Sequence, residues 1–206
     1  MKKSIPKPET LLIIGLGNPG AKYRGTPHNA GFLAIELLSK LWNAEFHQEN
    51  KSNSEIAEVK IYDKQIILVK PATFMNNSGQ AVAALTKTYG LDPQTSVWLV
   101  HDDADLELGK IKIVRNRGSA GHKGVEDVIR KLQTKDFARF RIGIMAKHLS
   151  QNRSKSIMNK FVVSGLNKED EKIFKKSLET AKDAVLFALE NGLEKTASIY
   201  NRQKKS

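Results

Sequence analysis

Leu11-Leu12-Ile13-Ile14-Gly15 is a short aliphatic run that ends on glycine and passes straight into Leu16-Gly17-Asn18-Pro19-Gly20. A run of that length and composition reads as a buried strand. The loop after it decides the fold. Gly15, Gly17, Pro19, Gly20, Gly25 and Pro27 interrupt the chain so often that no helix fits before about residue 28. G-x-G-x-x-G after a strand is also the dinucleotide-binding fingerprint. That motif, however, needs a helix starting inside the loop and an acidic residue ending a second strand about 20 residues on. Neither is found, because Glu36 falls within the helical periodicity of residues 32–42. A plain surface turn accounts for the glycines but not for Asn18, Tyr23, His28 and Asn29 set among them. The reading that accounts for both is a shaped loop at the C-terminal end of a strand, where open α/β sheets place their sites. Asn29 then reads as the cap of the following helix.

The remaining segments build outward from this unit. Residues 55–62 and 65–70 read as strands, with a hairpin turn at Asp63-Lys64. A second breaker-rich loop spans 71–79, and a helix over 78–89 stops at Gly90. Residues 96–101 form a strongly buried strand that runs into Asp102-Asp103-Ala104-Asp105. Strands are expected at 110–115 and 139–145, helices at 125–133, 167–190 and 193–200, and an irregular polar stretch at 146–156. Alternating strands and helices predict an α/β fold. We expect a single domain with a twisted mixed β-sheet flanked by helices on both faces. Residues 1–9 read as a flexible tail, and 10–206 as the domain with a helical C-terminal part.

Composition narrows the function. The 206 residues, 40% hydrophobic and 27% charged, suffice for one core and argue against disorder. Lys plus Arg exceed Asp plus Glu by 34 to 22, a net charge of +12, which makes a polyanion the natural partner, nucleic acid first. The absence of cysteine excludes disulfides, thiolate metal sites and a thiol nucleophile. No apolar run approaches the roughly 20 residues of a membrane span. The start, Met1-Lys2-Lys3, lacks the apolar region of a secretory signal, so a cytoplasmic protein without membrane contact is expected.

Neither G-x-S-x-G nor H-E-x-x-H occurs. Two chemistries remain. One is a carboxylate Mg²⁺ site built from Asp102, Asp103 and Asp105. Strand alternation opposes it, placing Asp102 with Trp98 and Val100, and His101 with Asp103 on the other face. The other is a histidine base, for which His28 is the best candidate. Its place at a helix start is expected to lower its pKa and favour the neutral imidazole. Two stretches are basic and free of acids. The first holds Lys110, Lys112, Arg115, Arg117 and Lys123, and the second Arg139, Arg141, Lys147, Arg153, Lys155 and Lys160. Lys110, Lys112, Arg115 and Arg141 are the expected phosphate contacts.

Several motifs in order strengthen one reading. They are G-L-G-N-P-G (15–20), Tyr23, His28-Asn29-Ala30-Gly31, Lys70-Pro71, Thr73-Phe74-Met75-Asn76, Ser78-Gly79, His101-Asp102, Asp105-Leu106, Gly121-His122, Gly124 and Arg139-Phe140-Arg141-Ile142-Gly143. Together they resemble the bacterial-type peptidyl-tRNA hydrolase family over residues 10–145. The helical C-terminus fits more loosely.

The resemblance implies a metal-free, cofactor-free monomer of one mixed α/β domain. Such an enzyme cleaves the ester between a peptide and the 3′ ribose of tRNA. It implies His28 as catalytic base and Asp102 as the acid that orients it. Asn18, Tyr23, Phe74, Met75, Asn76 and Lys123 become substrate-binding residues, and the acceptor stem and 3′ end of peptidyl-tRNA become the partner. Lys123 stands where the family's G-H-N-G motif carries asparagine. Met145-Ala146-Lys147-His148 departs from the family's Gly/Pro-containing segment. The rival from another class is a non-catalytic RNA-binding relative of the same fold.

Overall fold

The computed structural model describes residues 9–147 and 155–202. Of the tail expected at 1–9, residues 1–8 lie outside them, as do His148 of the expected departure, Arg153 of the second basic stretch and residues 148–154 of the irregular stretch expected at 146–156. One seven-stranded sheet organises the chain, in the order β2-β3-β4-β1-β5-β7-β6. The strands are β1 (Glu9–Gly15), β2 (His47–Glu49), β3 (Ser54–Ile61), β4 (Lys64–Pro71), β5 (Val97–Glu107), β6 (Ile111–Val114) and β7 (Ala138–Met145). β4, β1, β5 and β7 are mutually parallel, while β2–β3, β3–β4 and β6–β7 pair antiparallel. The sheet is therefore mixed, as the hairpin signals required.

The helices are α1 (Ala30–Leu41), α2 (Ser78–Tyr89), α3 (Pro93–Ser96), α4 (Lys123–Leu132), α5 (Lys155–Phe161), α6 (Lys168–Asn191) and α7 (Leu193–Tyr200). They cover both faces. Ile13, Trp98, Val100, Phe140 and Ile142 face α1 and α6 in one core layer. Leu12, Ile14, Val97 and Leu99 face α2 and α4 in the other, where Val125 of α4 packs against them. The alternation along β1 and β5 is the period-2 pattern of strands buried on both sides.

Several boundaries differ from the sequence reading, each for a local reason. Glu9 is the first residue of β1 rather than the end of a tail, because it is already in register with Lys64. The β3–β4 hairpin turns one residue earlier than expected, at Tyr62-Asp63, since Ile61 pairs with Lys64 and Tyr62 takes φ 53°. β5 does not stop at His101. It continues through the acidic residues to Glu107, because β7 pairs with it through Asp103 and again at Glu107. β2, α3 and α5 carry no distinct signal in the sequence: β2 is a polar edge strand of three residues, and α3 is one turn started by the Asp92 cap.

β1 lies between β4 and β5, the point where chain progression across the sheet reverses, and the C-terminal ends of all three open towards one side. Two glycines let α1 press against that point. A Cβ on Gly31 would lie 2.3 Å from both Leu16 N and Val100 O, and one on Gly15 would lie 2.3 Å from Gly31 O. Leu16 N donates to Val100 O at 2.9 Å, tying the loop to β5 beside the helix. Since the obstacles are backbone atoms, Gly31→Ala should cost about 3 kcal/mol in urea denaturation. Gly118→Ala, where a Cβ meets nothing within 4 Å, should stay within about 0.5 kcal/mol.

Candidate active site

β5 presents Asp102 at the mouth of the sheet with only 2% of its surface exposed. A turn of 3-10 helix, Pro27–Asn29, brings His28 over it. His28 Nδ1 lies 2.9 Å from Asp102 Oδ1 and 3.0 Å from Oδ2. The His28 backbone N–H donates to Val162 O at 2.8 Å, so the segment after α5 holds the turn from outside. His122 reaches the same carboxylate from the start of α4, with Nε2 2.9 Å from Asp102 Oδ1. The other nitrogen of His122, Nδ1, accepts from the backbone N–H of Gly124 and Val125, both at 3.2 Å, and so caps α4. An imidazole nitrogen that accepts carries no proton, so the proton of His122 sits on Nε2 and points at Asp102.

Electrostatics follow from this packing. Burial works against charge on Asp102, but the neighbouring imidazoles and their hydrogen bonds outweigh it and hold the carboxyl well below the usual carboxylate range. For His28, burial pulls the pKa down and Lys123 pulls the same way. The Asp102 carboxylate is stronger than both together, and the net shift is upward. This corrects the sequence expectation that a helix start would lower it: a carboxylate 2.9 Å away outweighs a partial dipole charge. Burial pushes His101 well below the ordinary imidazole value. Its Nδ1 is 2.6 Å from Asp102 O, and its Nε2 is buried without a partner.

Asn18 is clamped at three points. Its N–H donates to Asn29 Oδ1 at 2.8 Å, and its carbonyl accepts from Asn29 Nδ2 at 3.0 Å. Its own Oδ1 accepts from Met75 N at 2.9 Å, which leaves the amide Nδ2 as a donor. Asn29 therefore spends its side chain on the glycine loop. It sits at the N-cap position of α1 but makes no side-chain cap, contrary to the sequence reading.

These groups line one cleft of about 1070 Å³, with Asn18, His28, Phe74, Asn76, Asp102 and Lys123 among its walls. Met75 also borders it but is 4% exposed and packs under α4, so it serves mainly as floor. Phe74 stands 57% exposed at the rim. Tyr23 belongs to the same loop but does not border the cleft; the Lys22 ammonium lies 4.8 Å from its ring centroid.

The three-acid metal reading fails on geometry. Asp103 is taken by Arg141 and by the N–H of Asp105, while Asp102 turns to the histidines. Among the described residues the only three-ligand cluster is His28, Asp102 and His122, with atoms within 4.8 Å. The His122 nitrogen facing that cluster bears a proton, which marks it as a hydrogen-bond donor rather than a ligand.

The chain belongs to the peptidyl-tRNA hydrolase family. The family model for peptidyl-tRNA hydrolase matches residues 12–206. The peptidyl-tRNA hydrolase of Lactococcus lactis subsp. cremoris is 39% identical, over 93% of this chain and 100% of that protein. That of Synechocystis sp. is 38% identical, over 97% of each. The crystal structure of peptidyl-tRNA hydrolase from Acinetobacter baumannii superimposes with a TM-score of 0.86 at 27% identity, covering 98% of this chain and 99% of that one.

Within this family member, the expected phosphate contacts divide. Lys112 is exposed on edge strand β6 and stands directly opposite Arg141 on β7, which in turn pairs with His101 on β5. Arg141 is ion-paired with Asp103, and Arg115 with Asp136 at 2.5 Å. Lys110 is partly buried after β5. Arg139, which the sequence places in a basic surface stretch, is 2% exposed and donates to Gly118 O at 2.8 Å and Arg117 O at 2.6 Å. Burial, together with the charges of Arg141 and Arg117, pulls its pKa down to about 10.

The residue that sequence reasoning misses is His122. Its position before a helix and beside Gly121 signals a cap, but nothing local ties it to Asp102, twenty residues away.

The sign of the His28 shift is testable. In ¹⁵N NMR its titration midpoint should lie above the ordinary imidazole value of 6.5. In Asp102→Asn it should fall below that value, because burial and Lys123, the influences left behind, both disfavour the imidazolium. A midpoint unmoved by Asp102→Asn would dissolve the pair.

Proposed function

We propose that this chain is a peptidyl-tRNA hydrolase in activity as well as in family, cleaving the ester between a peptide and the 3′ ribose of tRNA and so freeing tRNA from prematurely released peptidyl-tRNA. The observation that carries the reading is the His28–Asp102 pair, 2.9 Å apart at the wall of a cleft, with His28 Nδ1 engaged and Nε2 left for chemistry. Asp102 accepts the Nδ1 proton, fixes the tautomer and stabilises the imidazolium that forms. His28 Nε2 then takes a proton from water as the water oxygen bonds to the ester carbonyl carbon. The raised pKa makes it a stronger base, neutral above that value.

The carbonyl oxygen gains negative charge in this step. Asn18 Nδ2, oriented by its bond to Met75 N, and the Asn76 amide at the same wall are the neutral donors for it. When the carbon–oxygen bond to the ribose breaks, the imidazolium returns its proton to the departing 3′ oxygen. The products are the free peptide acid and tRNA with a 3′ hydroxyl. Phe74, exposed at the rim, offers a face on which the terminal base can stack, and Tyr23 a second one farther out. Lys123, a cation at the same wall, is placed to meet a phosphate or carbonyl of the substrate.

The acceptor stem is assigned to the row that leads away from the cleft. His101, Arg141 and Lys112 stand in register on three adjacent strands, so Lys112 lies about 10 Å from His101. Lys112 stands directly opposite Arg141, whose charge is already met by Asp103, so Lys112 carries the charge on this row that a phosphate can meet. Lys110 and Arg115 flank the same edge. The proton on His122 supports a metal-independent reaction. The non-catalytic rival is disfavoured because the base, its carboxylate and the amide donors are all assembled. No helix among the described residues is long and apolar enough to cross a membrane. We place the enzyme, as a monomer, in the cytoplasm beside its RNA substrate.

The direct test is incubation with N-blocked aminoacyl-tRNA, scoring ester cleavage. The wild-type chain should release tRNA, and His28→Ala should lower turnover by about 10² to 10⁴ while tRNA still binds. Near-normal turnover in that variant would remove His28 from the mechanism. Lys112→Ala should weaken tRNA binding and lower the slope of log K against log salt by about 1. An unchanged slope would take β6 out of the interface.

A further inference from the structure

His122 has no part in the hydrolytic scheme, yet it makes as short a contact with Asp102 as His28 does. Both its nitrogens are committed. Nδ1 receives two backbone N–H groups at the start of α4, which fixes the ring, and Nε2–H is thereby aimed at Asp102 Oδ1 at 2.9 Å. The ring is further confined by His101, edge-on at 4.8 Å between centroids, and by His28 at 5.2 Å. A helix cap alone would be met by a small polar side chain such as asparagine or serine. Only a side chain that accepts at one end and donates at the other can join the start of α4 to the carboxylate beneath His28.

We infer that His122 is a positioning residue, its Nε2–H sharing the Asp102 carboxylate with His28 and thereby setting both the carboxylate's orientation and how strongly it holds the proton of the base. The inference rests on His28 acting as general base with Asp102. A carboxylate that serves one imidazole alone would bind the imidazolium of that imidazole more tightly and slow the return of its proton. A second N–H donor draws off part of the carboxylate's hold on that proton without removing it.

The charges around this pair come from every element packed against it. From α4 come His122 and Lys123, the latter disfavouring positive charge on His28. On β5, His101 is buried and donates to the Asp102 carbonyl, while Asp103 is held by Arg141 of β7. Arg139 of β7 is turned to the 117–118 carbonyls. Farther along α4, Glu126 and Arg130 border the cleft, and Asp127 is held by Arg130 and the Gly79 N–H. From the α5 side, Met158, Val162 and Val163 border it. Among the described side chains, the carboxylate of Asp102 thus draws its hydrogen bonds from His28 and His122.

The test compares His122→Asn with His122→Gln. Asparagine keeps an acceptor for the α4 cap but is too short to reach Asp102, whereas glutamine can place an N–H near the carboxylate. In His122→Asn, the acid limb of the kcat/KM profile on N-blocked aminoacyl-tRNA and the ¹⁵N NMR midpoint of His28 should both move to higher pH. Turnover should drop about tenfold, the loss of one hydrogen bond to a charged group. His122→Gln should bring the midpoint back towards the wild type. A cap with no further role would leave the His28 midpoint in place in both variants, and that result overturns the inference.

A measurement on the unaltered chain stands apart from any folding defect. At neutral pH the His122 ring should show the Nε2–H tautomer in long-range ¹H–¹⁵N spectra. A proton on Nδ1 overturns the inference outright. Failure of the base assignment would look different, since His28→Ala would then retain turnover whatever His122 does.

Discussion

A carboxylate with 2% of its surface exposed is the constraint from which the rest of the structure can be derived. Burying Asp102 without partners would cost several kcal/mol or force it to take up a proton. Two imidazole N–H groups prevent that, one from the loop after β1 and one from the start of α4. These two elements lie on opposite faces of the sheet, so the carboxylate fastens both helical layers to the end of β5. The base and the helix cap answer to the same charge, and neither can shift without exposing it.

The sheet order makes such a meeting possible. β1 sits between β4 and β5, so the loops after these strands converge without long connections. Glycine supplies the closeness. At Gly31 and Gly15 the backbone of α1 touches the backbone of β1 and β5, which no side chain would permit. That contact sets the height of Pro27–Asn29 above the sheet and therefore the reach of His28. The second loop is tied to the first through Asn18 Oδ1 and Met75 N, so the amide donors and the imidazole belong to one rigid frame rather than to two independent loops.

How much of this the sequence discloses depends on the range of the interaction. Elements with strong local periodicity, such as β1, β4 and α2, are legible because burial on one or both faces writes itself into the spacing of aliphatic residues. The shaped loop and the candidacy of His28 are legible from breakers alternating with polar residues. Asp102 as its partner comes only from family resemblance, since a contact across 74 residues leaves no periodic trace. β5 reads too short in the sequence because the pairing that extends it comes from β7, not from hydropathy. The direction of the His28 shift is misread for the same reason: the helix start is local and visible, while the stronger carboxylate is distant in sequence. Asn29 illustrates the opposite case, where a sound local rule is overridden because its side chain finds two backbone partners in a neighbouring loop.

The net charge of +12 also looks different once it is distributed over the fold. Part of what reads as free basic surface is engaged within the fold, and Arg139 is buried outright. Arg139 braces the loop that leads to His122, and Arg141 and Arg115 are each held by an aspartate. An ion-paired arginine can still meet a phosphate, but its free charge is partly spent, so its weight in salt-dependent binding falls relative to an unpaired lysine on an edge strand. The cations that set affinity for a polyanion and those that hold the site together are therefore different residues, although one stretch of sequence contains both. Around Asp102 the separation is sharper still. The protein places imidazole N–H donors on the carboxylate and, among the described residues, keeps lysine and arginine from hydrogen-bonding to it, since a permanent positive charge there would bind the carboxylate outright and leave the base without a partner of adjustable strength.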